Sequence, residues 1–189
     1  NKPSQKELAK HKAQQEQQAN KTAANTQNNT STVQPTDLGN FAYSTTLPSA
    51  KNEVTVLENK DLKLTISNRG GQLKEVLLKE FKTYDSLPVY LVKDWNATFS
   101  LNFTTAQNKK LNTKDLYFEP TLSENNGSQV LSMKLKTSEN TYLEYVYTLP
   151  KEGYMLDLVV RSQGLAGAVN TSEPMNINWK LQARRMEKS

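Results

Sequence analysis

A chain of 189 residues with 35% hydrophobic and 23% charged side chains and a mean hydropathy of -0.74 has material for one globular core, while a good part of it must lie outside that core. It has no cysteine, which excludes disulfides and thiolate metal sites, and His11 is its sole histidine, so a zinc centre or a Ser-His-Asp triad has nothing to draw on. The net charge of +5 divides as +2 over residues 1–40 and +3 over the rest, with both signs interspersed, which argues against a nucleic-acid partner.

Residues 1–40 hold most of the polar excess. Gln14 to Gln18 and Asn25 to Thr32 are low-complexity runs, and Leu8 and Val33 are almost the only sizeable apolar side chains before Leu38. Such a segment buries too little apolar surface to offset the entropy of ordering it, so 1–40 is expected to be a polar linker, disordered or a frayed helix. Ser4 and Glu7 fit a capping box ahead of good helix formers in Lys2–Ala19, but no apolar stripe follows. No apolar run approaches bilayer-crossing length, so the chain as given is expected to be soluble; the first residue is Asn1, and an upstream targeting or anchoring segment is left open.

From residue 41 the composition changes, and 41–189 is expected to be one β domain. Phe41, Tyr43 and Leu47 alternate weakly as a lead-in. Val54–Glu58 and Leu62–Ser67 flank the turn Asn59-Lys60-Asp61, which predicts a hairpin. In the second strand Leu62, Leu64 and Ile66 share one face, with Lys63, Thr65 and Ser67 on the other. Asn68-Arg69-Gly70-Gly71 reverses the chain, because two glycines take positive φ without a Cβ clash. Gln72–Phe81 fits helical spacing at Leu73, Val76, Leu77, Glu80 and Phe81, but the glycine turn before it favours a bulged strand. Pro88–Val92 is a short strand that enters through proline, which suits an edge or a strand start.

Further on, Phe99, Leu101 and Phe103 alternate, and a lysine-rich stretch 109–120 leads to the turn Asn125-Asn126-Gly127. Leu131, Met133 and Leu135 line one face of the next strand, and Leu143, Tyr145, Tyr147 and Leu149 one face of the strand after it. Gly153 turns the chain into 154–161, where Leu156, Leu158 and Val160 are expected to face the core; Met175, Ile177, Trp179 and Leu181 repeat the pattern. Eight or nine strands about ten residues apart indicate an all-β, mainly antiparallel sandwich or barrel.

The run Asp61-Leu62-Lys63-Leu64-Thr65-Ile66-Ser67-Asn68-Arg69-Gly70-Gly71, the turn Lys82-Thr83-Tyr84-Asp85, the strand Pro88-Val89-Tyr90-Leu91 and the later Tyr147–Tyr154 resemble the large periplasmic domain of the bacterial YidC membrane-protein insertase family. The resemblance covers about residues 50–189, and its most specific part is 58–92. It implies a β-super-sandwich similar to galactose mutarotases and carbohydrate-binding sandwiches, incomplete at the C-terminus, whose open strand edges the full length would cover. It also implies a membrane helix and polar linker upstream, several membrane helices downstream, a periplasmic position at the inner membrane, and Sec translocon components or nascent membrane proteins as partners. The insertase groove of the family lies outside this sequence.

No residue set for catalysis, cofactor or metal stands out, and a sugar epimerase lacks its catalytic histidine. Gly70, Gly71 and Gly153 are turn residues; no phosphate loop follows the pattern around them. Trp95, Trp179, Tyr142, Tyr145 and Tyr147 are candidates for stacking on sugar rings, with Trp95 and Trp179 foremost, although packing is what their size favours. A free-standing carbohydrate-binding sandwich is accordingly the alternative. Arg184-Arg185 reads as a solvated strand end, and the Asn-x-Ser/Thr sequons at Asn20, Asn28, Asn29, Asn96, Asn102, Asn126 and Asn170 suggest exposed loops.

Overall fold

The structure, a computed structural model, describes residues 37–183; the expectations for the linker up to residue 36, for His11, for the first three sequons and for Arg184-Arg185 lie outside them. The core begins ahead of the 40/41 composition boundary, since Leu38 is buried in it together with Phe41. Gly39–Thr46 is a 3-10 helix, in which Ser44, Thr45 and Thr46 each donate a hydroxyl to the carbonyl three residues back, at 2.7–2.8 Å. That helix sets Phe41 against Phe103, with ring centroids 4.8 Å apart.

Eleven strands follow: β1 (Val54–Glu58), β2 (Leu62–Ser67), β3 (Leu73–Lys82), β4 (Pro88–Val92), β5 (Ala97–Thr104), β6 (Lys110–Asn112), β7 (Glu119–Asn125), β8 (Ser128–Lys136), β9 (Tyr142–Leu149), β10 (Asp157–Gln163) and β11 (Asn176–Leu181). They form three antiparallel sheets, ordered β1-β2-β3-β4, β10-β9-β8-β7 and β11-β5-β6. The described residues are therefore all-β and sandwich-like. Gln72–Phe81 is a strand: β3 pairs β2, with a register shift at Thr65/Ile66, and pairs β4 with two more. Pairing on both sides overrides the helical spacing of its side chains. The strands that spacing alone did not resolve are β6 and β7; β7 is exposed along most of its length and has no apolar alternation to find.

Turn chemistry matches the turns. Asn126 and Gly127 both take positive φ (50° and 79°) in the two-residue β7–β8 hairpin, the left-handed pair that such a tight reversal favours. Gly70 and Gly71 have φ of 83° and 60° between β2 and β3, where Ser67 N–H donates to the Gln72 carbonyl at 3.0 Å.

The inner faces of the first two sheets meet over one core. Leu62, Leu64 and Ile66 of β2 belong to the same buried cluster as Leu131, Met133 and Leu135 of β8 and Leu143, Tyr145, Tyr147 and Leu149 of β9. Each such side chain contributes about 1.5–3 kcal/mol by leaving water. The two tyrosines keep their hydroxyls paired inside: Tyr147 donates to the Gly71 carbonyl at 2.7 Å and Tyr145 to Thr113 Oγ1 at 3.0 Å. Burial pushes the Tyr145 phenol up to about 12, and the deeper Tyr147 phenol further in the same direction.

Three expectations fail here. Val160 is exposed and Leu156 and Leu158 are only half-buried, because β10 is a sheet edge over which no sheet closes among the described residues. Met175, Ile177, Trp179 and Leu181 are all exposed, and so is Trp95, so packing does not account for the two tryptophans. Among the sequons, Asn96 is buried and Asn102 sits within β5, so neither marks an exposed loop.

Candidate functional site

Residues 59–62 and 150–153 show how local sequence builds a rigid corner. Asn59 Oδ1 accepts from the backbone N–H of Asp61 (2.9 Å) and Leu62 (2.6 Å), which closes the β1–β2 turn. Its amide donates to the carbonyls of Pro150 (2.9 Å) and Gly153 (3.0 Å), which ties that turn to the β9–β10 turn. Asp61 Oδ2 then accepts the Gly153 N–H at 2.5 Å, and Gly153 supplies the positive φ of 94° that aims this donor. Gly153 is thus a turn residue with a bonding role. Asn59 is the partner that sequence reading missed; its turn position was visible, but its contact across more than 90 residues was not.

Beside this corner lies an apolar cluster. Phe81, at the end of β3, and Tyr154 meet edge-on with centroids 5.9 Å apart. Tyr84 and Leu87 in the β3–β4 connection and Met155 next to Tyr154 are exposed as well. Neighbouring charges are of both signs: Glu58 pairs with Lys79 at 2.9 Å, and this hydrogen bond and charge hold its carboxyl below the usual range.

A second apolar surface is a groove of about 490 Å³ between the second and third sheets. Leu158 and Val160 of β10 line one side and Ile177, Trp179 and Leu181 of β11 the other, with Phe99 and Leu73 among its remaining walls. The register Trp179↔Phe99 and Leu181↔Ala97 puts β11 along the edge of β5, and the two aromatic rings stand edge-to-face at 6.4 Å and 86°. Trp179 is 78% exposed, Ile177 65% and Leu181 59%, values that belong to a surface, while their alternation with Asn176, Asn178 and Lys180 belongs to a strand with one dry face.

Trp95 stands apart from that groove. It is 70% exposed in the turn 93–96, with Asp94 and Trp95 both at positive φ (54° and 62°). Asn96 holds the turn: its Oδ1 accepts from Lys93 N–H at 2.8 Å, and its amide donates to the carbonyls of Leu91 and Gln182. The structure therefore does not bring Trp95 and Trp179 into one platform. Tyr142 is half-buried with Lys134 Nζ 4.4 Å above its ring, and Tyr145 and Tyr147 are core.

A hollow of about 470 Å³ on the outer face of the second sheet is lined by Asn125, Asn126, Val146, Val159 and Arg161 among others. Arg161 Nε lies 3.0 Å from Glu144, which is buried at 7% exposure and accepts the Ser132 hydroxyl at 2.5 Å, so the charges there are spent on each other. No cluster of three or more His, Cys, Asp or Glu that suits a metal occurs among the described residues, and no helix among them is long and apolar enough to cross a membrane.

Comparison with known proteins supplies the context. Residues 54–189 match the family described as YidC periplasmic domain. Three similar curated proteins are each named membrane protein insertase YidC: one from Porphyromonas gingivalis is 36% identical over 138 residues, 72% of this chain and 22% of that protein. One from Parabacteroides distasonis is 34% identical over 137 residues, 72% of this chain and 21% of the relative. One from Phocaeicola vulgatus is 30% identical over 201 residues, 100% of this chain and 31% of the relative. The chain thus spans between a fifth and a third of the length of these proteins. No solved structure matches. With the family match running through β1 to β11 and on to the last residue, the chain belongs to the YidC periplasmic domain family.

Proposed function

We propose that this chain is a non-catalytic part of a YidC-type membrane-protein insertase, positioned on the periplasmic face of the inner membrane. Residues 1–40 serve as its polar link to the membrane. It assists insertion and folding of inner-membrane proteins by contacting Sec translocon components or the nascent protein itself. The observation that carries this reading, beyond family membership, is the exposed ring pair of Phe81 and Tyr154, with exposed Leu87 and Met155 close to them along the chain, beside a corner that Asn59 and Asp61 make rigid. Apolar side chains grouped on a preorganised corner suit protein contact, because little further ordering is needed on binding.

The test is in-cell photo-crosslinking from position 87 in the full-length insertase. Adducts to a Sec subunit or to a nascent membrane protein are expected, and their loss on Phe81→Ser with Met155→Ser ties them to the cluster. Full cross-linking yield in that double variant, or no adduct to either partner, overturns the proposal.

A second reading keeps one observation of its own. Trp95 is exposed on a left-handed turn, a presentation that suits stacking on a sugar ring. Titration with a glycan panel followed by tryptophan fluorescence decides it: saturable binding that Trp95→Ala abolishes and Trp179→Ala spares supports a carbohydrate platform at Trp95, and a flat titration removes it.

A further inference from the structure

The outer face of the second sheet carries apolar side chains where a wet face calls for polar ones. Between the buried Leu131 and Met133 of β8 and the buried Tyr145 and Tyr147 of β9, the outward positions include Val130 and Val146, and Val159 of β10 lies beside them. The strand register gathers them, since Val159 stands opposite Val146 and Val130 opposite Thr148. Val146 is only 7% exposed although it does not belong to the core cluster. These side chains are the floor of the hollow of about 470 Å³ on that face.

Both ends of the floor are polar, and each end is held in place. At one end the β7–β8 turn presents Asn125 and Asn126, whose side-chain amides bond to no other described residue. The tight hairpin fixes Asn126 at a φ of 50°, so the direction of its side chain is set by the turn. At the other end stands Arg161, opposite Glu144 in the register, with its Nε 3.0 Å from that carboxylate. Glu144 is buried and also accepts the Ser132 hydroxyl, so the guanidinium is anchored from behind. That pair takes up the Nε edge and leaves the two terminal nitrogens of Arg161 to the hollow it lines. From Thr148 to Glu144 the floor runs four residues along β9, or about 13 Å.

A concave apolar floor with a few fixed polar groups is the make-up of a small-molecule site, and the volume lies within the usual span of roughly 300–1,000 Å³. Charge narrows the ligand class. Arg161 already has its anionic partner, and a ligand carboxylate or phosphate brought to it would face Glu144 as a like charge. A neutral ligand bearing adjacent hydroxyls gains at both ends, because a planar guanidinium and a planar amide can each bond two neighbouring oxygens while the valines take a C–H face. We propose that this hollow is a binding site for a neutral oligosaccharide, which lies along β9 with its hydroxyls on Asn125 and Asn126 at one end and on Arg161 at the other. The proposal draws on neither the ring pair at Phe81 nor the exposed Trp95, so it stands or falls apart from both readings above.

The test is calorimetric titration of the full-length protein, held in lipid nanodiscs free of glycoside detergents, with maltotriose and with chitotriose. Saturable binding of at least one of them is expected. Arg161→Lys keeps a cation beside Glu144 and loses the planar fork, and Asn126→Asp keeps a residue that tolerates the left-handed turn and loses the amide donor. Each is expected to weaken binding by about tenfold or more, whereas Trp95→Ala leaves it unchanged. Flat titrations with both sugars, or binding that survives both hollow variants, overturns the proposal. So does binding that Trp95→Ala abolishes, which moves the sugar to the other turn. Glutarate or a neutral tripeptide binding more tightly than either sugar overturns it in favour of an anion or a peptide site.

Discussion

The corner where β2, β3 and β9 meet and the side where β10 and β11 lie are built from the same kind of sequence. Each has apolar residues at every second position. At the corner those positions are closed: Leu64, Ile66, Tyr145 and Tyr147 are at most 1% exposed, and the Tyr147 hydroxyl finishes its bond on the Gly71 carbonyl. On the other side Ile177 and Trp179 repeat the pattern into solvent. The difference is one of covering and not of pattern, because a strand's period says which residues share a face and says nothing about what stands opposite that face.

Substitutions at the two regions give the strongest contrast. Leu131→Ala, in the closed core, is expected to cost about 3–5 kcal/mol, transfer and cavity together, read as a shift in the urea midpoint. A loss below about 1 kcal/mol would mean that the two inner faces are not packed as described.

Gly71→Ala comes next. The added Cβ would lie 3.0 Å from the Phe118 ring and 3.1 Å from the Tyr145 ring, at a φ of 60° that disfavours a side chain. Backbone strain and overpacking together predict a loss of about 2–4 kcal/mol by the same measurement. Gly153→Ala is a useful control, since nothing lies within 4 Å of its Cβ position; its left-handed φ alone should cost about 1–2 kcal/mol.

Alkaline pH probes the same corner. The Tyr145 phenol is pushed from 10 up to about 12 by burial, so its neutral form is the one the fold favours. The corresponding stability is fully present below pH 10 and is lost as pH rises from 10 through about 12, on the order of 2–3 kcal/mol. The urea midpoint should therefore fall across that window, and Tyr145→Phe should flatten the fall. An unchanged fall in the Tyr145→Phe variant would show that this phenol is not what the rising pH titrates.

Smallest is the effect expected on the uncovered side. Ile177→Ala in residues 1–189 is expected to change stability by less than about 0.5 kcal/mol, as for other exposed positions.

Much of the corner was legible in residues. Asn59-Lys60-Asp61, Asn68-Arg69-Gly70-Gly71 and Asn125-Asn126-Gly127 carry their turn chemistry locally, and the alternation in β2, β8 and β9 names their buried faces. The apolar contact cluster was not legible, since Phe81 and Tyr154 come together only through the pairing of separate hairpins. Nor was β7, whose exposed and mixed side chains leave no period to read. The family resemblance, carried by 58–92, was legible because its motif is a run of consecutive residues.

By itself the sequence determined that this is an all-β chain of antiparallel strands, where most of them turn, which residues face together and that no histidine- or cysteine-based chemistry is available to its core. Those properties depend on neighbours along the chain. Only the tertiary structure decided that Asn59 bridges two turns, that Trp95 and Trp179 stand exposed and apart, and that the apolar face of β11 is left largely exposed by the described residues. Each of those depends on residues far away in sequence, and the free energy of an apolar face is set by what covers it.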